Sequence, residues 1–312
     1  MNERKIMNVF FISLLGFLIS SCTKSNHPSE IAPKIDFIEP TNLMKTKQLV
    51  KVKFTKVKAA DWEVNRSGLI DLEHPKAQAA GLVDGKEPIQ IYFYVVDHPS
   101  AGRFLIDSGV EDALLQDARN SKIPYLIYTL MNMESLKIHQ STKAWILLNP
   151  QPIKAVFLTH MHIDHLMGFP DLPKDINIYV GPSENSSKTF QNIAVNKIST
   201  DFLEGHRPLR ELQFQKPRPD LVRAIDFFGD QSFIVFHLPG HTPGSLGFFI
   251  RGEDMDHLVV GDTSHTRWGW EHSVSPGSYT ENRKQNQEKL DWLTAFAGRY
   301  PEVLVHLGHQ SR

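Results

Sequence analysis

Cysteine is all but absent from this chain of 312 residues, with Cys22 the single example. It has no partner for an intramolecular disulfide, so burial of apolar surface has to hold the fold. An excess of either charge is lacking too, since 34 Lys and Arg stand against 35 Asp and Glu for a formal net charge of -1. With no long run of like charge, the electrostatic footprint of a nucleic-acid binder is missing. Long hydrophobic runs are equally scarce. The run at residues 6–19 falls short of the about 20 apolar residues that span a bilayer, and no second one follows, which excludes a multi-pass membrane protein. No internal repeat is detectable. What is present, 41% hydrophobic and 22% charged residues, suits a globular protein with core enough for one large domain or a pair of small ones.

Arg4 and Lys5 precede that apolar run, which closes on Ser20, Ser21 and Cys22 in the layout of a signal peptide. Ile19-Ser20-Ser21-Cys22 resembles the bacterial lipobox. The resemblance implies that residues 1–21 are removed and that Cys22 becomes the lipidated first residue. The protein would then be exported and held at a bacterial membrane, on the periplasmic face or the cell surface. A plain secretory signal is the alternative. Residues 22–34, with Lys, Ser, Asn, His and Pro, read as a solvated tether, and residues 35–312 as the folded domain.

Strand-like and helix-like patterns alternate through that domain. Val50, Val52 and Phe54 alternate with polar residues, residues 89–96 form an apolar β-rich run, and Phe104-Leu105-Ile106 leads into Asp107-Ser108-Gly109. A hairpin-like turn is expected at residues 98–102, and further short strands at 154–158, 176–180, 233–238, 247–250, 258–260 and 303–305. The clearest helix is expected to start at Ser278, with Ser278 and Glu281 as a capping box, and to run through Leu290, Leu293 and Phe296 to Gly298. Such mixing predicts a layered α/β or α+β fold.

The decisive segment is Thr159-His160-Met161-His162-Ile163-Asp164-His165, directly after the apolar Ala155-Val156-Phe157-Leu158. Four metal-type ligands lie within six residues. Alternate residues on a strand share a face, so His160 and His162 are expected to point together, and a turn would send Asp164 and His165 toward a second position. Imidazole suits zinc, and imidazole with carboxylate suits a borderline or hard cation beside it.

His-x-His-x-Asp-His after a hydrophobic strand resembles the signature of the metallo-β-lactamase superfamily. Its companions follow in that family's order: Ile106-Asp107-Ser108-Gly109, Pro239-Gly240-His241-Thr242-Pro243-Gly244-Ser245, Val260-Gly261-Asp262-Thr263 and Leu307-Gly308-His309. The resemblance implies an αββα sandwich with two divalent metal ions at one edge of the sheets, zinc first, manganese or iron as alternatives. His160, His162 and His241 would hold the first ion, Asp164, His165 and His309 the second, with Asp262 bridging. A hydroxide shared by both ions would be the nucleophile and Asp164 a proton shuttle to the leaving group. Asp107 would steady the turn beneath the site rather than bind metal.

Other histidines compete for attention. His309 is preferred to His306 because it sits in the turn after a strand, where this family places its ligand. His237, at a strand end, reads as a buried and satisfied side chain, whereas His98, His206, His257 and His272 read as solvated. In acyl-homoserine lactonases a tyrosine stands three residues after the bridging aspartate and faces the substrate carbonyl. Here that position is His265, an alternative donor to an oxyanion or a loop residue turned to solvent.

Departures from other branches narrow the reaction. A bridging Asp262 demotes antibiotic hydrolysis, and His162, where the redox flavodiiron branch has Glu, argues against that chemistry. The front half resembles N-acyl-homoserine lactonases through Leu72-Glu73-His74-Pro75-Lys76 and Tyr94-Val95-Val96-Asp97-His98-Pro99. An ester-like bond, first a lactone, is the expected substrate; a glyoxalase II-like thioesterase is second and a mononuclear-iron persulfide dioxygenase a distant third. The apolar residues 123–133 are either a pocket wall or a core or subunit contact.

Overall fold

A computed structural model of the chain describes residues 23–40, 43, 50–188, 192–216 and 222–311. The signal segment and the lipobox lie outside these residues. Seven strands come from the front half: β1 (Ser29–Ile31), β2 (Phe37–Ile38), β3 (Lys53–Asn65), β4 (Lys86–His98), β5 (Gly102–Ile106), β6 (Lys137–Ile138) and β7 (Ile153–Phe157). The back half adds β8 (Asn177–Val180), β9 (Leu209–Glu211), β10 (Arg223–Asp226), β11 (Phe233–His237), β12 (Leu246–Arg251), β13 (Asp256–Val259) and β14 (Leu304–His306). They form an eight-stranded sheet in the order β1-β9-β8-β7-β5-β4-β3-β6 and a six-stranded sheet in the order β14-β13-β12-β11-β10-β2.

Burial explains why β4 reads as a continuous apolar run instead of an alternation: it is covered on both faces. Tyr94, Val96, Phe104 and Phe157 meet Phe233, Val235 and Phe248 in the core between the sheets. On the outer face of the large sheet, Phe93, Val95 and Val156 pack with Trp145, Leu166 and Phe169. On the outer face of the small sheet, Phe236 and Phe249 pack with Leu290, Leu293 and Phe296 of the Arg283–Arg299 helix. Helices outside two stacked sheets give the αββα sandwich. β5, β7 and β8 run parallel, as do β13 and β14, so the loops after β5 and β7 leave one edge together, as do those after β13 and β14. Open parallel strands place their functional loops beyond such carboxyl ends.

Two expectations need correction. The last long helix starts after Asn282, whose side chain accepts a hydrogen bond from the Gln285 N–H at 3.0 Å; the Ser278 hydroxyl instead donates to the Ser67 carbonyl. The Ser278–Glu281 capping box therefore does not form. The described part of the expected tether is docked, with Lys24, Ser25 and His27 buried and β1 paired in parallel with β9. Asn185 makes the difference: its carbonyl oxygen accepts from the Ser25 N–H and hydroxyl, and its amide donates to the His27 carbonyl. A polar segment reads as solvated only while its distant partner is unknown.

Asn282→Ala should cost about 1 kcal/mol, the usual value of an N-cap. Urea titration of the purified protein checks this, with Ser278→Ala expected to stay within about 0.5 kcal/mol of the parent.

Candidate metal centre

Each chemical residue sits just past the end of a strand. His160 and His162 follow β7, but in an extended loop rather than on the strand itself, which stops at Phe157; His162 immediately precedes the short Ile163–Leu166 helix that carries Asp164 and His165, its side chain free of any capping bond. His241 lies in the turn between β11 and β12, Asp262 in a tight turn after β13, and His309 in the turn after β14. The convergence expected from strand alternation is reached by the loop.

Three imidazole nitrogens face one another. His160 Nε2 lies 2.9 Å from His162 Nδ1, and His241 Nε2 lies 3.1 Å and 3.0 Å from these two atoms. Each imidazole bears one lone pair or one proton at such an atom, so three mutual contacts cannot all be good hydrogen bonds. A cation among them satisfies all three. Close by, His309 Nε2 lies 3.2 Å from Asp164 Oδ2, and His165 Nε2 lies 3.5 Å from it. Asp262 Oδ2 is the common point of both groups: it is 3.5 Å from His241 Nε2 and 3.7 Å from His160 Nε2 on one side, and 3.4 Å from His165 Nε2 and 3.1 Å from His309 Nε2 on the other. His165 Nε2 and Asp262 Oδ1 are buried without a hydrogen-bond partner, a costly state unless something binds there. The donor chemistry fits two divalent metal ions, in the groups His160, His162, His241, Asp262 and Asp164, His165, Asp262, His309.

Electrostatics divides the groups in the same way. Burial, then the neighbouring histidines, pushes His160 and His241 well below the usual histidine range, and burial with Lys24 holds His162 at about 3. Neutral imidazole is the form that binds metal. In the other group, burial works against charge, but Asp262 and Asp164 outweigh it and raise His309 to about 10; Asp107, Asp164 and Asp262 raise His165 likewise. That field calls for positive charge, which a proton supplies in part and a divalent cation more fully.

The support beneath the ligands is buried and specific. Asp107, at φ 60, accepts from the Thr159 N–H at 2.8 Å and from His165 Nδ1 at 2.8 Å, so it fixes which His165 nitrogen faces the centre. His241 Nδ1 bonds Thr280, and His309 Nδ1 donates to the Gln90 carbonyl. Gly308 leaves room for the bridging carboxylate, because a Cβ there would lie 2.2 Å from Asp262 Oδ1. Sequence reasoning missed Glu184. Fully buried, it accepts from the Met161 N–H, the Thr242 hydroxyl and the Gly244 N–H, and so ties the His160–His162 loop to the His241 loop. No motif marks such a residue; only the spatial meeting of the loops does.

The remaining histidines mostly leave the surface. His306 is buried between Phe54 and Tyr94, its Nε2 3.1 Å from His257 Nδ1, and belongs to neither ligand group. His237 is buried and satisfied by the Pro243 carbonyl and Arg223. His98, His206 and His257, expected in solvent, are buried instead, held by Asp230, the Phe169 carbonyl and His306 respectively; His272 is exposed. His265 is buried too, not turned to solvent. Its Nε2 lies 2.9 Å from Asp262 Oδ2, while Nδ1 has no partner.

A cavity of about 360 Å³ opens over the ligands. Trp62, Leu69, Ile89 and Ile163 give it an apolar wall, with Leu130 and Met131 at one side and His265 and Tyr279 facing in. Of the apolar residues 123–133, then, Leu130 and Met131 reach the cavity, Tyr128 packs against the core, and Tyr125 and Leu126 are exposed.

A family model described as the metallo-beta-lactamase superfamily matches residues 87–309. The chain belongs to that superfamily. Within it, the N-acyl homoserine lactonase AttM of Agrobacterium fabrum is 26% identical over 225 residues, covering 71% of this chain and 82% of the relative. The cytochrome P450 monooxygenase mpaDE of Penicillium roqueforti is 28% identical over 125 residues, which are 36% of this chain and 14% of that much longer protein. Among solved superfamily structures, an N-acyl homoserine lactone hydrolase with N-hexanoyl-L-homoserine bound at its catalytic metal centre superposes with a TM-score of 0.56 at 14% identity. That match covers 84% of this chain and 94% of the other.

Asp107→Asn should weaken metal retention by roughly 10-fold to 100-fold through loss of the His165 support, read by titrating a chelator against bound metal. A second expectation concerns acid. Burial, Lys56 and His257 hold His306 at about 3 in the fold, below its unfolded value near 6.5, so its contribution to stability is lost as pH falls from 6.5 toward 3. His306→Gln should shrink the difference between urea midpoints at pH 7 and pH 4.5 and leave the metal content unchanged.

Proposed function

We propose that this protein opens the ring of lactones that carry an acyl chain. The carrying observation is a two-metal donor set at the floor of an apolar-walled cavity of about 360 Å³, a volume suited to a small ester with a hydrocarbon arm. Similarity to lactonases along most of the domain supports the same substrate class. The first ion is assigned to His160, His162 and His241, the second to Asp164, His165 and His309, and Asp262 to both. An imidazole-rich first group favours zinc, with manganese or iron as substitutes. When bound, such a pair supplies an acidified water and a Lewis acid for the carbonyl.

The chain's own groups do the rest. Asp164, ionised under the pull of His165 and His309 despite its burial, is placed to take the proton of the attacking water and return it to the alkoxide that leaves when the ring ester breaks. His265 meets Asp262 through Nε2 at the wall of the cavity, and its ring N–H there is the donor assigned to the oxygen that gains charge on the former carbonyl. Trp62 and the aliphatic wall keep water from the acyl arm. The lipobox-like segment ending at Cys22 supports export and a lipid anchor at a bacterial membrane as part of the same proposal.

Rates on acyl-homoserine lactones, aryl esters, a glutathione thioester and a cephalosporin, measured on zinc-, manganese- and iron-loaded protein, test the proposal. Acyl-homoserine lactones should lead; a faster thioester would replace lactonase by a glyoxalase II-like reading. His160→Ala and Asp164→Ala should lose both turnover and metal. His265→Phe should keep both metals yet lower kcat by roughly 100-fold, the scale of a lost oxyanion donor, with His265→Tyr restoring much of it. Unchanged kcat in His265→Phe at every pH would remove the residue from catalysis.

A further inference from the structure

Lys24 stands two positions after Cys22, yet its side chain is part of the cavity wall. The ammonium lies 2.8 Å from Glu281 Oε1, and the side chain is only 3% exposed. The backbone around it is equally fixed. Asn196 donates to the Thr23 carbonyl at 2.8 Å, the Lys24 N–H donates to the Asn185 carbonyl, and Asn185 clamps Ser25 and His27. Two residues of chain reach at most about 7 Å, so the point from which a lipid on Cys22 would hang is held that close to the Lys24 backbone. A lipid on Cys22 would have no tether with which to stand off from the body.

Leu130 lines the same cavity while being 73% exposed, which places it on the rim. It belongs to the Tyr125–Leu130 helix, where Leu126, one turn back on the same face, is 70% exposed and Tyr125 is 72% exposed. Tyr125 stacks on Tyr128, yet all three keep more than two-thirds of their surface exposed. A single acyl signal binds membranes only marginally, and a second apolar contact fixes both affinity and orientation.

We propose that the mouth of the catalytic cavity is seated on the bilayer that holds the Cys22 lipid. The Tyr125–Leu130 helix dips into the interface, and the lactones taken are long-chain ones dissolved in the membrane. This rests on the lipoprotein reading of Cys22 and on the lactonase reading of the metal centre. Lys24 and Leu130 line one cavity, Lys24 in its buried wall and Leu130 at its exposed rim, so a bilayer that takes up a lipid on Cys22 is within reach of the Tyr125–Leu130 helix. An acyl chain can then pass from the leaflet along Leu130 and Met131 to the apolar wall without crossing water. The lactone head, the polar end, leads toward the ligands.

The test uses full-length acylated protein in phosphatidylcholine vesicles. With Cys22 blocked by its lipid, Leu126→Cys and Glu302→Cys each offer a unique thiol for a fluorophore; Glu302 precedes β14 and so lies at the opposite end of that strand from His309. Quenchers built into the lipid chains should dim the label at position 126 several-fold and leave the one at position 302 bright. Inserting a 15-residue Gly-Ser segment between Cys22 and Thr23 should lower turnover of a long-chain lactone in the vesicles by roughly 10-fold, through loss of imposed proximity, and leave a water-soluble short-chain lactone unaffected. Equal quenching at the two positions, or an insertion without effect on the vesicle-borne lactone, overturns the proposal. Failure of the protein to float with vesicles refutes the anchor and the proposal with it. Absence of turnover on both lactones refutes the lactonase reading alone, and the quenching result still decides the seating of the mouth.

Discussion

Everything in this molecule is arranged around lone pairs that have nowhere else to go. His160, His162 and His241 present nitrogens to one another at about hydrogen-bond distance, and Asp262 presents one oxygen to five histidines. In a dry interior such a cluster is destabilising by itself, because buried polar atoms without partners cost free energy. The rest of the fold must hold it together against that tendency. A cation turns the same arrangement from a cost into a gain.

The holding is done by rigid parts meeting at one edge. β7 and β5 deliver the His160 loop and Asp107, and β13 and β14 deliver Asp262 and His309 from the opposite sheet. The aromatic core between the sheets fixes their spacing. Glu184 and Asp107 then finish locally what the sheets set globally, each accepting several hydrogen bonds from the loops that carry ligands. Precision at the centre thus comes from carboxylates that need not touch a metal.

Much of this was legible from the residues in order, and the boundary is physical. The ligand motif and its four companions are local strings, so His160 to His165, His241, Asp262 and His309 stand out without a structure, as do the apolar runs that become β4, β7 and β11. What escaped depends on partners far along the chain. Lys24 and Ser25 looked solvated because Glu281 and Asn185 could not be seen beside them, and His98, His206 and His257 looked like surface residues because each finds its acceptor elsewhere. Ser278 satisfied a capping pattern by spacing, but the chain turns into helix only at Asn282, whose N–H is committed to the Gly240 carbonyl beside His241. Glu184 left no local trace at all.

The bridging oxygen of Asp262 joins ligands contributed by both halves of the sandwich. Each donor group draws on both halves, with His160 and His162 or Asp164 and His165 from the large sheet and His241 or His309 with Asp262 from the small one, so neither set is complete until the sheets have closed and Gly308 lies against the carboxylate. The metal centre is therefore also a seam, and a fault in how one sheet docks on the other would be felt first as weakened metal binding.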